Sequence, residues 1–232
     1  MQVLFARHLL TASILSAPAA LVISKILIPE TEKVDREMNI SDEKIGTNAL
    51  EAITNGTSEG LKLAINVGAM LLVFTAFIAM FNYILNDFIG ARTGLNDLIS
   101  SSTEGKYSGF NLQLIMGYLF APLAWLCGVS GEDLIVAGQL LGEKTILNEF
   151  FAYASFSQMK AADLFSNPKS VIILTYALCG FSNIASIGIQ IGGISTLAPN
   201  QKTVLSQLGV RSLIAGTIAC LMTATIAGMF YS

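Results

Sequence analysis

The run from residue 63 to residue 85, LAINVGAMLLVFTAFIAMFNYIL, carries no charged side chain. A helix needs about 20 apolar residues to cross the hydrocarbon of a bilayer, and this run is long enough. In hydrocarbon no water satisfies backbone amides, so such a segment must close its own hydrogen bonds as a helix. Two further stretches, residues 170–201 and 212–232, are also uncharged. A shorter one, residues 9–24, is flanked by Arg7, His8 and Lys25. It spans if Lys25 snorkels to the headgroups. Its charged start, apolar middle and small residues at 17–20 also fit a signal peptide.

Composition agrees with lipid as the solvent. Hydrophobic residues make up 53% and charged residues 12% of the chain, against about 25% charged in a soluble domain. Mean hydropathy is +0.64. The net charge of -3, with Lys and Arg scattered, provides no basic stripe for nucleic acid. Cys127, Cys179 and Cys220 lie in apolar stretches and read as small packed residues. His8 is the single histidine, so no metal site is expected. No phosphate loop, nucleophile elbow or zinc helix occurs, and no enzyme and no cofactor are expected.

Between the first two apolar segments lies a polar loop, residues 29–58, with a short helix expected near residues 48–53. It holds two glycosylation-type triplets, Asn39-Ile40-Ser41 and Asn55-Gly56-Thr57. They matter only on a lumenal face. Lys and Arg counts on the two sides give no orientation.

Residues 110–165 differ from a simple span. Residues 110–128 are apolar but contain Pro122. Two short apolar pieces follow, residues 134–141 and 150–156, with Gly142-Glu143-Lys144-Thr145 between them. Neither can cross, so together they predict a helical hairpin that enters the membrane and returns. Irregular backbone at that depth survives only against protein or a water-filled cavity. Residues 171–198 are interrupted by Gly180, Gly188, Gly192 and Gly193. Close helix packing explains such glycines on its own. A hairpin followed by a glycine-broken helix is also the sequence pattern of a transporter binding site.

Glu149 is the sharpest single residue, a carboxylate inside an apolar run. Placing it at bilayer depth costs about 2.5–3.5 kcal/mol, so function is the first reading. Pairing with Lys144 is the structural alternative. Asn183 and Ser186 are three apart, on one helical face beside the glycines. Carboxylate, amide and hydroxyl together suit an uncharged ligand with several hydroxyls and repel an anion. The alternative for Asn183 and Ser186 is hydrogen bonding between helices. Lys160 and Asp163 are expected in a solvated turn.

At these residues a resemblance becomes specific. Leu147-Asn148-Glu149-Phe150-Phe151-Ala152-Tyr153 resembles the NEF-x-AY motif of concentrative nucleoside transporters. Thr175-Tyr176-Ala177-Leu178-Cys179-Gly180-Phe181-Ser182-Asn183-Ile184-Ala185-Ser186 resembles their second long motif, with Ser182 in place of the usual Ala. His8-Leu9-Leu10-Thr11-Ala12-Ser13, Pro29-Glu30-Thr31-Glu32 and Arg211-Ser212-Leu213-Ile214-Ala215-Gly216-Thr217 match in the same order. The likeness covers nearly the whole chain and leans toward animal sodium/nucleoside cotransporters.

The resemblance implies an all-α polytopic membrane protein with a re-entrant hairpin and a broken transmembrane helix, assembled as a homotrimer. It implies a transmembrane segment at 1–28, a scaffold helix at 59–88 and an interfacial helix at 110–128. The hairpin falls at 131–160, the broken helix at 170–198 and the last span at 203–231. It implies that Glu149, Asn183 and Ser186 hold the ribose of a nucleoside, with Asn148 beside them and Phe181 as a wall. The coupling cation, sodium with a proton as the alternative, is expected outside this chain, which resembles the C-terminal half of a symporter in the plasma membrane. An alternative is a short membrane subunit that does not transport and associates with full-length transporter.

Overall fold

The computed structural model describes residues 2–29, 31, 48–103, 105–197 and 199–231. Most of the polar loop, including the Asn39 triplet, lies outside the described residues. The described elements are helical throughout. In chain order they are α1 (Gln2–Leu27), α2 (Ala49–Asn82), a π-helical stretch (Tyr83–Gly90), α3 (Ala91–Thr93) and α4 (Leu95–Ser102). Then come α5 (Leu112–Leu126), α6 (Leu134–Ile146), α7 (Glu149–Ala161), α8 (Pro168–Ala177), α9 (Ile184–Leu197) and α10 (Lys202–Phe230). Among the described residues two helical stretches are long and apolar enough to cross a membrane, Arg7–Leu27 and Lys202–Phe230.

The chain forms two compact units, residues 30–81 and the remainder. In the first, the described part is α2. Asn48 starts it by accepting the Glu51 amide at 2.9 Å, a side-chain cap that fills one orphan donor. The short helix expected near residues 48–53 is therefore the first turn of a long one. That helix begins at Ala49, well inside the stretch read as loop, and runs through Asn55-Gly56-Thr57.

In the second unit α1, α8, α9 and α10 pack together. The buried side of α1 carries Ala12, Ala19 and Ile23, and the last two meet Ala219 of α10. Its other side exposes Leu10, Ile14, Leu21 and Ile26. Small residues toward helices and large apolar ones away from them is the pattern of packing in lipid. The main core gathers Leu140, Phe156, Ile173, Leu174 and Leu178, all fully buried.

α5 and α6 lie backbone to backbone. A Cβ on Gly138 would collide with the Gly117 carbonyl and stand 2.7 Å from the Ala121 amide. A Cβ on Gly142 would stand 2.7 Å from Met116 Cβ. Gly138 and Gly142 are four apart and form one smooth strip. This corrects the position of the turn in the hairpin. Gly142-Glu143-Lys144-Thr145 is not the turn but the last part of α6, which continues to Ile146. The chain turns at Leu147-Asn148, where Leu147 leaves helical geometry and Asn148 caps α7.

Two polar anchors fix the ends. Asp133, fully buried, accepts the Ser166 amide at 2.8 Å and the Asn167 amide at 3.2 Å. It ties the approach to α8 onto the start of α6. Asn167 then caps α8 through the Lys169 amide at 2.9 Å, with Pro168 next in line, a favoured first helical residue. Elsewhere Asn96 donates to Asn86 and accepts the Phe110 amide at 2.9 Å. It thereby holds the π-helical stretch against the segment entering α5. Lys160 and Asp163 are exposed at the end of α7, Asp163 with a positive φ of 54°.

Candidate functional site: two asparagine-capped helix starts

Asn148 precedes α7, and its side-chain oxygen accepts the Phe151 amide at 2.9 Å. This cap places Glu149 as the first helical residue. The same construction recurs at α9. Asn183 precedes Ile184, and its side-chain oxygen accepts the Ser186 amide at 2.8 Å. Each helix start presents unpaired amides and a partial positive charge. The two starts converge on one carboxylate, because Asn183 donates to Glu149 Oε2 at 3.1 Å.

Asn183 reaches its place because the chain leaves helical form after Ala177 and re-enters it at Ile184. Gly180 carries the reversal at φ 140°, a conformation in which a side chain is strained. Of the four glycines, it is Gly180 that breaks the helix; Gly188 lies within α9. Gly180 also passes so close to α10 that a Cβ would stand 2.6 Å from Cys220 Sγ.

Glu149, Asn183 and Ser186 are therefore one hydrogen-bonded group. They are 6%, 2% and 6% exposed. The Ser186 hydroxyl donates to Asn183 at 2.9 Å, which leaves its oxygen lone pairs as acceptors. Glu149 Oε1 is buried and has no partner. An unpartnered buried acceptor costs about 1–3 kcal/mol, more when charged. The group thus offers acceptors set in place by three other hydrogen bonds, which is an arrangement for a ligand that donates from hydroxyls.

Phe181 stands apart from this triad. It is 65% exposed and meets the Phe150 ring edge-on, centroids 6.2 Å apart. With Asn183 and Ser186 it borders an open cleft of about 200 Å³ also lined by Ser16, Gln190 and Ser212. The Ser182 hydroxyl lies 3.9 Å from Cys220 Sγ. Asn148 is adjacent, with its side-chain oxygen engaged as a cap.

Among the surrounding residues, the sequence reading has Lys144 only as an ion-pair alternative for Glu149 and assigns Tyr153, Tyr107, Gln139 and Glu143 no role. Tyr153 of α7 donates to the Thr175 carbonyl at 2.7 Å. Lys144, 2% exposed, donates to the Ala177 carbonyl at 2.8 Å. Tyr107 donates to Gln139, whose amide donates to Glu143, each at 2.8 Å. Burial, and then the nearby Glu143, push the Tyr107 hydroxyl well above its ordinary range, so it stays a donor. Gln139 and Glu143 are four apart, and that spacing is the one signal that marks them as neighbours on a helix face.

The family described as "Na+ dependent nucleoside transporter C-terminus" matches residues 8–228. An uncharacterized transporter of Haemophilus influenzae is 41% identical over 96% of this chain and 51% of its own length. Nucleoside permease NupC of Helicobacter pylori is 37% identical over 96% of this chain and 50% of its own. Human solute carrier family 28 member 3 is 37% identical over 97% of this chain and 33% of its own. CNTnw, solved in an inward-facing substrate-bound state, superposes with a TM-score of 0.78 at 36% identity, over 96% of this chain and 50% of that one. The chain thus spans about half or less of the relatives it matches. These are membrane transporters and not enzymes. The chain belongs to the concentrative, sodium-dependent nucleoside transporter family, to the part that forms its C-terminal region.

Proposed function

We propose that this chain supplies the ribose-holding part of a sodium-coupled nucleoside symporter. The observation that carries the reading is Glu149 Oε1, buried and unpartnered while Oε2 is fixed by Asn183. A ribose hydroxyl donating to Oε1 makes a charge-assisted hydrogen bond, the stronger kind. A second hydroxyl finds the Ser186 oxygen, whose own proton is engaged by Asn183. The two converging helix starts add dipoles that favour the carboxylate. Phe181 and Phe150 present an aromatic edge beside the group, suited to the face of a base.

In this reading α6 and α7 are a re-entrant hairpin, and α8 and α9 are the halves of one broken transmembrane helix. Short paired helices and a break at a polar group are what a membrane tolerates only around a substrate cavity. The sodium site and the further contacts to the nucleobase belong to the remainder of the symporter, and α2 is the scaffold helix of a trimer in the plasma membrane.

The test is a chimaera in which this chain replaces the matching half of the Helicobacter pylori nucleoside permease. Labelled uridine uptake is measured with and without a sodium gradient, against competing uridine, 2′-deoxyuridine, 3′-deoxyuridine and uracil. The expected result is uptake that uridine blocks far better than either deoxy analogue or uracil. Equal competition by all four would remove the ribose from the site.

A further inference from the structure

The break between α8 and α9 frees carbonyl groups at the end of α8, and a helix end buried without partners for them is unfavourable. Two are met locally, Leu174 by the Leu178 amide at 2.9 Å and Tyr176 by the Cys179 amide at 3.1 Å. The other two are met by the hairpin, one from each of its helices. Tyr153 of α7 takes the Thr175 carbonyl, and Lys144 of α6 takes the Ala177 carbonyl. Lys144 is 2% exposed, so its ammonium is not spent on solvent. A cation at a helix C-terminus also meets the negative end of the dipole.

We infer that Lys144 is a positioning residue of the site: by holding the last carbonyl of α8, it fixes the broken segment so that Asn183 stands against Glu149. This rests on the ribose reading above. The hairpin and the broken helix are then one body at the site, which keeps the spacing of Asn183 and Glu149.

Amide hydrogen exchange on the purified chain in detergent, without nucleoside, tests the clamp. In Lys144→Met the amides of residues 178–186 exchange about tenfold faster or more, because the end of α8 opens locally. Those of α5, and of α6 up to Gly142, keep their rates. Lys144→Arg, which can still donate to the Ala177 carbonyl, exchanges like the native chain. If Lys144→Met leaves Glu149 uncompensated and the chain does not fold, Lys144→Met with Glu149→Gln removes both charges and the same local acceleration is expected. Unchanged rates at residues 178–186 would overturn the inference. So would acceleration spread evenly over α5 and α6, which marks a general packing defect, or failure of Lys144→Arg to restore protection. In the chimaera, Lys144→Met should weaken competition by uridine and Lys144→Arg should retain it. Competition unchanged by Lys144→Met, with the break opened, also overturns the positioning role. The ribose reading is judged separately, by the deoxy analogues in the chimaera with native Lys144.

Discussion

At the scale of single residues, Glu149 and Gly180 carry the sharpest consequences. Glu149→Gln keeps the shape and removes the charge, so a ribose hydroxyl loses a charge-assisted partner worth about 1.5–3 kcal/mol. Uridine uptake by the chimaera at low concentration should fall about tenfold to a hundredfold. An undiminished rate would mean that Glu149 serves the fold and not the ligand. Gly180 at φ 140° admits no side chain without strain of about 1–3 kcal/mol, and a Cβ there also meets Cys220. Gly180→Ala should lower the melting temperature of the purified chain, and adding Cys220→Ala should recover only the part due to the contact. Full recovery would show that the backbone angle contributes nothing. That Glu149, Asn183 and Ser186 belong together was legible in the sequence because a carboxylate and an amide in apolar runs are costly and stand out. Asp133 was not, since it lies among polar neighbours at a helix start and its two amide partners come from a distant turn.

At the scale of elements, the α5–α6 crossing depends on Gly138, whose missing Cβ leaves room for the Gly117 carbonyl and the Ala121 amide. Gly138→Ala should destabilise by about 1–3 kcal/mol or more, because backbone on both sides cannot yield as a side chain does. A thermal melt that does not shift would show that the two helices can separate at little cost. The same glycines explain what the sequence hid. Gly142 next to charged Glu143 and Lys144 reads as a turn, yet it is helical and serves contact with Met116. The real turn is set by Asn148, whose capping role is visible only once α7 is known to start at Glu149. Likewise the first turns of α2, from Ala49 on, were hidden by polar residues that a capped helix can carry on exposed faces. The Tyr107–Gln139–Glu143 series gives a pH test. The folded chain raises the Tyr107 hydroxyl above its ordinary value of 10.0. A raised folded value means stability that is fully present below pH 10 and is lost as pH rises further. Melting temperature should fall above pH 10 in the native chain and fall less in Tyr107→Phe. Equal slopes in both would show that other groups govern the alkaline limb.

At the scale of the whole molecule, the length of the chain and its site join in the proposed reading. The triad offers acceptors for hydroxyls, but within these residues the aromatic edge of Phe181 and Phe150 is exposed. A transporter binding site lies between two repeats, each supplying one side, and the chain matches about half of the bacterial relatives. Apolar side chains such as Leu10, Ile14 and Leu21 on α1, and Val210, Ile214 and Met229 on α10, face outward. Lipid or partner helices cover them in a membrane, so the chain by itself should reach the bilayer and fold there. Reaching the bilayer is not transport, because an ion gradient acts only where the cation and the substrate bind together. Cells expressing these 232 residues alone should therefore show no sodium-driven uridine uptake, while the chimaera shows it and its Glu149→Gln variant loses most of it. Uptake by the chain alone, dependent on sodium and lost in Glu149→Gln, would place the cation site within these helices. The polar cleft of about 390 Å³ beside Tyr107 and Glu132 would then be the first place to look for it.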